Sequence, residues 1–518
     1  MYGYDLIVTE KLDFQRSIFW VVAAIGILFG AVFNFLPMSP LWLDEAQSAS
    51  IADESFSSLV DALRRDGHPP FYYLLLGLWI DLLGNSDFIL RAFSGLLGCL
   101  AIVMTWFTFR IHMGKRESLI AASLMASSPF AIRYATEVRM YSLIIFLLLC
   151  VYLNFYKATV TQNSNTKNRF FYAVSLACLL MTHYWSLFFL AGLVSFLLIR
   201  AMRSSGEEKK NYKRLITWSA GACIPFVFWL PVFLEQLEHT GTPWSKAPRP
   251  TVVLALTLEA FGGGKGSEAL LVAVALSLLV SLGVFTRINE KGSGLEIGLN
   301  ELYWLKEICL ISVCTMILGS TVSLLTDTAF QGRYGVFFFP FVIFASAVGL
   351  SRLPSKVTLL LLTLLLLLCS VSVARELSRD RTQLGEIADV ITNEGKEGDS
   401  IVFCPDQLAP AGNRVLGKGY EFFSYPSLES GERIDWYDYR ERNLESSPLL
   451  IAEDLLARSS SEQNIWLVWI DGFDSFGKQC GSFRSELSKR LSGGETLVNA
   501  DGDEYYNPAN LVRYDGNK

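Results

Sequence analysis

Three acidic residues and two arginines, far apart in the chain, have side chains suited to acid–base chemistry on a phosphorylated substrate. Asp44 and Glu45 stand together in Leu41-Trp42-Leu43-Asp44-Glu45-Ala46. Glu137 and Arg139 lie in Arg133-Tyr134-Ala135-Thr136-Glu137-Val138-Arg139-Met140-Tyr141, and Arg333-Tyr334 ends the run Gln331-Gly332-Arg333-Tyr334. A carboxylate is ionised at neutral pH and tunable by burial, which suits a general base. Arginine offers paired N–H donors to phosphate oxygens. Each feature also has a plainer reading. Acids favour the first turn of any helix, which would account for Asp44-Glu45. Arg139 could be an interfacial anchor paired with Glu137, and Arg and Tyr are ordinary residues at a membrane surface.

Further polar candidates are His68 ahead of Pro69-Pro70, His183 in Thr182-His183-Tyr184-Trp185, and Lys246 in Trp244-Ser245-Lys246. His68 could bind substrate or fix the entry of a helix, and His183 could bind substrate or cap a turn. The run Gly262-Gly263-Gly264-Lys265-Gly266 lacks P-loop spacing and context, and reads as a gating loop or a linker. No Cys/His spacing suggests zinc. A divalent ion bridging Asp44 and Glu137 is left open, in a cluster poor in ligands.

The elements that must position these residues are mostly apolar. Of 518 residues, 51% are hydrophobic and 18% charged, against about 25% charged in a soluble domain. Runs such as Ile18 to Leu36, Phe88 to Phe109 and Val357 to Val373 approach the ~20 residues that cross a bilayer core. Ile18 to Leu36 lacks a cleavage pattern and reads as a retained helix. A net charge of −6 gives no reason to expect nucleic-acid binding.

Basic loops set the orientation. Arg110 to Arg116, Lys157 to Arg169, Arg200 to Arg214, Arg287 to Lys306 and Arg352 to Lys356 are expected in the cytoplasm. Phe71 to Leu83, about 13 residues after His68-Pro69-Pro70, is short for a span and reads as an interfacial helix. Phe170 to Ile199, about 45 Å as one helix, reads as a hairpin broken near Thr182 to Trp185. About eleven spans result, with residues 1–17 inside and residues 18–374 as the transmembrane domain. Its first outer loop, 38–87, holds the interfacial helix. Asp44, His68, Glu137, His183, Lys246 and Arg333 then share the outer face.

After Arg375 the charge density rises. Ser400 to Cys404 and Ile465 to Ile470 read as buried strands and Thr382 to Thr392 as an amphipathic helix, so 375–518 is expected to form a small extracytoplasmic α/β domain. Seven of the nine cysteines lie in apolar runs; Cys404 and Cys480 lie in this tail and could pair if it is extracytoplasmic.

Leu41-Trp42-Leu43-Asp44-Glu45-Ala46, then His68-Pro69-Pro70-Phe71-Tyr72-Tyr73, then Ser128 to Tyr141, then Gly332-Arg333-Tyr334 with Pro340 following, resemble the GT-C glycosyltransferases over residues 18 to 350. More narrowly they resemble the bacterial glycosyltransferase family 39 group, related to protein O-mannosyltransferases and lipid A aminoarabinose transferases. Many relatives have Gln where this chain has Thr136. The resemblance implies a polyprenyl-phosphate-linked sugar donor and an acceptor lipid, glycan or protein on the outer face, in a bacterium the periplasmic or exterior side of the plasma membrane. It implies Asp44 as the leading catalytic residue with Glu45 beside it, Glu137 as the second-loop acid, and Arg333 at the donor phosphate. Tyr334, Arg139, His68, His183 and Lys246 complete the expected binding set. A single inverting displacement follows, with Asp44 as base. Rival readings are a transporter or flippase of lipid-linked sugars, another envelope glycan polymerase or ligase, and a non-catalytic membrane scaffold.

Overall fold

The computed structural model describes residues 2–36, 39–160, 166–241, 247–288, 295–460, 462–472 and 476–516. Trp244-Ser245-Lys246 lies outside them, so Lys246 has no described position. The amino-terminal part is helical: α1 (Tyr2–Phe33), α2 (Leu43–Ala52), α3 (Phe56–Asp66), α4 (Phe71–Leu83), α5 (Asp87–Arg110), α6 (Lys115–Ser127), α7 (Pro129–Ala135) and α8 (Tyr141–Val160). There follow α9 (Thr166–Leu180), α10 (Ser186–Arg203), α11 (Gly206–Ala222), α12 (Ile224–His239), α13 (Pro250–Gly262) and α14 (Ser267–Phe285). A short ribbon of β1 (Thr286–Ile288) and β2 (Leu295–Ile297) leads to α15 (Tyr303–Leu325), α16 (Phe339–Ser351) and α17 (Ser355–Ser378).

Six helices among the described residues are long and apolar enough to cross a membrane: α5, α8, α10, α14, α15 and α17. α11 and α12 qualify together as a pair bent by 45°. Four shorter apolar helices of 10–17 residues accompany them: Ser17–Phe33 within α1, α4, α13 and α16. This compares with about eleven expected spans. Two local causes account for much of the difference. The stretch after Arg116 breaks where Ser128 accepts a hydrogen bond from Ala131 N and Pro129 opens α7. α9 draws its first residues from Thr166, Lys167, Asn168 and Arg169, leaving little apolar length. The interfacial-helix segment does form one helix, α4, over Phe71–Leu83, and Phe170 to Ile199 does break, between Leu180 and Ser186.

Helix packing relies on small residues. α14 and α16 approach so closely that a β-carbon added at Gly283 would lie 2.0 Å from Ala345 O. One added at Gly349 would lie 2.2 Å from Leu279 O. Such contacts suit a bilayer, where close backbone packing rather than hydrophobic exclusion associates helices.

The carboxyl-terminal part continues with α18 (Leu384–Glu394), β3 (Ser400–Cys404), α19 (Ala409–Leu416), β4 (Glu421–Ser424), α20 (Tyr439–Glu445) and α21 (Pro448–Arg458). It ends with β5 (Ile465–Trp469), α22 (Gln479–Arg490), β6 (Ser492–Val498) and β7 (Asn510–Asp515). The sheet order is β4-β3-β5-β7-β6, with β4, β3 and β5 parallel and β7 antiparallel to both neighbours. β3 is buried along its whole length and β5 over its first four residues, as their unbroken apolar runs require. Cys404 at the end of β3 is disulfide-bonded to Cys480 at the start of α22.

Replacing Gly349 with leucine should separate α14 from α16. We expect a loss of about 1–3 kcal/mol or more from overpacking, read as a lower melting temperature of the detergent-solubilised protein. An unchanged melting temperature would show that the crossing tolerates side-chain bulk.

Candidate active site

Asp44 and Glu45 are neighbours in the first turn of α2, yet they face different surroundings. Glu45 is fully buried. Arg91, from α5, grips it with both ends of its guanidinium, Nε to Oε1 at 2.9 Å and Nη2 to Oε2 at 2.6 Å. Arg381, between α17 and α18, adds Nη1 to Oε1 at 3.3 Å, and the Val138 amide donates to Oε1 at 3.0 Å. Burial by itself would raise the Glu45 carboxyl; Arg91 and Arg381 together hold it below its ordinary value. Arg381 also donates to Thr136, to its carbonyl at 2.7 Å and its hydroxyl at 2.8 Å. Thr136 is thus an acceptor for Arg381. Glu45 was expected to stand beside the leading acid, Asp44; among the described residues its close partners are cations and amides, and it does not line the cavity described next.

Asp44 faces a cavity of about 480 Å³. Its Oδ2 accepts from Arg333 Nη1 at 2.8 Å and lies 3.8 Å from Arg139 Nε. Arg333 and Tyr334 come from the 3-10 turn Gly332–Phe337, and Arg139 from the turn between α7 and α8. Arg139 also donates to Ser48 Oγ at 3.1 Å, and its Nη2 is 3.3 Å from His68 Nε2. Asp44, His68, Arg139, Arg333 and Tyr334 all line the cavity, as the sequence led us to expect.

Glu137 and His183 do not line it. Glu137 is almost fully buried, with Arg133 at 4.0 Å. Burial pushes its carboxyl above the ordinary value, Arg133 and Arg381 only partly offsetting this, while Glu45 and Asp44 add to it. His183 sits beneath the cavity in a cluster of rings, with centroids 5.5 Å from Tyr334 and 5.9 Å from Phe337. Its Nδ1 accepts from the Trp185 amide at 3.1 Å, which makes it the turn cap that was its alternative reading. Burial, with His68, Arg139 and Arg333 nearby, drives its imidazole well below the usual histidine range, so it is neutral.

Several cavity residues were not apparent from the sequence. Gln47 and Asp66 come from α2 and α3, whereas Gln407, Trp436, Tyr506 and Asn507 come from the carboxyl-terminal part, which forms the roof. Asp66 lies two residues before His68, a spacing that could have drawn attention to it. The roof residues carry no comparable local signal.

Among the described residues, the buried Trp42 Nε1, Arg139 Nε and Arg333 Nε make no hydrogen bond. Among the described residues no three His, Cys, Asp or Glu side chains gather as ligands for a metal. The carboxylate of Asp44 faces two guanidinium groups instead, a set that suits an anion rather than a resident cation.

The two buried acids predict opposite pH effects. Glu45 titrates below its unfolded value near 4.5, so its stabilisation is full above pH 4.5 and is lost as the pH falls beneath that. Glu137 titrates above 4.5, so its stabilisation is full below pH 4.5 and is lost as the pH rises through its folded value. Glu45→Gln should therefore lower stability near neutral pH by about 3 kcal/mol or more and flatten the acid limb of the melting curve against pH. Glu137→Gln should show no such loss. Equal losses for both would contradict this assignment.

Residues 67–229 match the family described as dolichyl-phosphate-mannose-protein mannosyltransferase. No curated protein sequence matches the chain. Among solved structures, ArnT from Cupriavidus metallidurans in the apo state is similar over 98% of both chains, with 12% identity and a TM-score of 0.60. The same ArnT bound to undecaprenyl phosphate gives 12% identity and a TM-score of 0.57, covering 95% of this chain and 97% of that one. The arabinofuranosyltransferase AftD from Mycobacteria gives 16% identity and a TM-score of 0.52, covering 97% of this chain and 40% of AftD. The matched segment and a fold shared along nearly the whole length with ArnT bear out the resemblance seen in the motifs: this is a polytopic membrane chain with the fold of the GT-C glycosyltransferases.

Proposed function

We propose that the chain transfers a sugar from a polyprenyl-phosphate donor to an acceptor at the outer face of a bacterial plasma membrane. The observation that carries this reading is the pairing of Asp44 with two arginines, Arg333 and Arg139, on the lining of one cavity. Two guanidinium groups side by side suit the oxygens of a donor phosphate. The ArnT structure bound to undecaprenyl phosphate, similar in fold, supports a lipid phosphate as the ligand class.

The reaction is a single displacement with inversion. Asp44 takes the proton from the acceptor hydroxyl or amine. The acceptor atom bonds to the anomeric carbon as the bond from that carbon to the phosphate oxygen breaks. The electron pair leaves with the polyprenyl phosphate, whose growing charge Arg333 and Arg139 stabilise. Glu137 orients the arginines from behind, through Arg133 and the turn that carries Arg139. The carboxyl-terminal roof, with Trp436, Tyr506 and Asn507, excludes water and shapes the space for the sugar and acceptor.

A transporter reading fits less well. The cavity-lining charged groups lie in end turns of helices and in links between them, none inside the six long apolar helices. Transporters hold such groups in broken helices near the midplane. The Cys404–Cys480 disulfide supports an oxidising, extracytoplasmic compartment for the carboxyl-terminal part.

Asp44→Asn should lower sugar transfer in membranes containing the natural donor by about 10²–10⁴-fold while the variant still purifies folded. Transfer at the wild-type rate would reject Asp44 as base. Arg333→Ala should weaken binding of undecaprenyl phosphate, titrated by native mass spectrometry, by tenfold or more. For orientation, Cys404 and Cys480 of protein taken from cells and unfolded in denaturant should resist alkylation until a reductant is added. Ready labelling without reductant would show the pair unjoined in the cell and count against an oxidising compartment.

A further inference from the structure

The linkage that holds Arg139 in place runs backwards from the cavity through two residues the mechanism above does not use. Arg139 Nη2 lies 3.3 Å from His68 Nε2, and His68 Nδ1 lies 2.7 Å from Asp66 Oδ2. A guanidinium can only donate, so His68 Nε2 is the acceptor. The proton of the neutral ring is then on Nδ1, pointing at Asp66. Asp66, a buried carboxylate, is held in turn by Gln47 Nε2 at 3.2 Å and the Tyr73 hydroxyl at 3.1 Å. Its Oδ2 accepts from His68 Nδ1 and so fixes that tautomer.

Local backbone geometry serves this pair. α3 ends at Gly67, whose φ of 87° is left-handed. That turn brings Asp66 and His68, two residues apart, into contact before Pro69-Pro70 starts α4. A β-carbon at Gly67 would be strained at this φ and would also meet Thr240 Oγ1 at 2.8 Å. Gln47 ties the same assembly to the roof. Its amide donates to Ile434 O at 3.2 Å and accepts from Ile434 N at 2.9 Å. The chain of contacts is continuous from the roof backbone through Gln47, Asp66 and His68 to Arg139, and so to Asp44.

We infer that Asp66 and His68 are positioning residues: they orient Arg139 so that it meets the donor phosphate while staying beside Asp44, and Gln47 makes this orientation depend on the seated carboxyl-terminal roof. This rests on the phosphate reading of the cavity. His68 acts through Arg139 and its role is that of an acceptor, not of a cation toward the phosphate.

The test uses the full-length protein in nanodiscs with undecaprenyl phosphate as the probe, titrated by native mass spectrometry, and thermal unfolding as a control. His68→Phe keeps the ring volume and removes the acceptor. His68→Gln restores an acceptor toward Arg139 and a donor toward Asp66. We expect His68→Phe to weaken binding by tenfold or more with little change in melting temperature. His68→Gln should recover most of that loss, and Asp66→Asn should weaken binding without abolishing it. A role in packing alone would leave His68→Phe unimpaired, and a direct cationic role for His68 would leave His68→Gln as weak as His68→Phe; either result overturns the inference. If Arg333→Ala binds the probe as wild type does, the phosphate reading itself fails. Weakened Arg333→Ala beside normal His68→Phe rejects only the positioning pair.

Discussion

The buried carboxylate of Glu45 is the constraint around which the site is assembled. It joins α2 to α5 through Arg91, to the α7–α8 turn through the Val138 amide, and to the linker after α17 through Arg381. An unpaired charge in such a place would cost several kcal/mol, so all three segments must arrive together. Once they do, the positions of Asp44 and Arg139 follow: one is the next residue along α2, and the other follows Val138 directly. Glu45 and Asp44, though adjacent in sequence, point apart because a helix turns about 100° per residue. One carboxylate faces inward, while its neighbour faces the cavity.

The cavity is built between two kinds of architecture. Its floor comes from helix ends and turns of the transmembrane part, its roof from the α/β part. The two are fastened by polar contacts around the rim. Arg414 in α19 reaches Asp87 at 2.7 Å, Arg65 in α3 meets Asp435 at 2.6 Å, and His239 at the end of α12 lies 2.9 Å from Asp438. Such partly exposed pairs contribute little stability individually. Their number and spread fix register, alongside a hydrophobic core that runs from the helices into one face of the carboxyl-terminal sheet.

The electrostatics separate the buried acids from the groups that line the cavity. Glu45 and Asp66 are buried acids fully engaged with fixed donors, and both titrate below their ordinary values despite the burial that opposes it. His183 is neutral within its ring cluster. Asp44, Arg139 and Arg333 line the cavity. Arg333 and Arg139 are themselves restrained, by Asp44 and by Ser48 and His68.

Much of this was legible along the chain. Apolar runs marked the long helices, the short length of Phe71 to Leu83 marked a separate helix, and unbroken apolar stretches marked β3 and β5. The motif residues Asp44, His68, Arg139, Arg333 and Tyr334 were singled out by type and setting, and they meet at one cavity. What the chain could not show was which of two adjacent acids would be consumed. Glu45 and Asp44 differ only in their partners, and those partners are 46, 93 and 336 positions away for Glu45 and 289 for Asp44. For the same reason Glu137 and His183 looked available but are enclosed, and the roof residues went unnoticed. Residue type and hydropathy are local properties, and by themselves they determined a membrane chain with acids and arginines ready for phosphate chemistry. Burial and charge pairing arise only when distant segments close on one another, and so the tertiary structure alone decided which of those groups face the cavity.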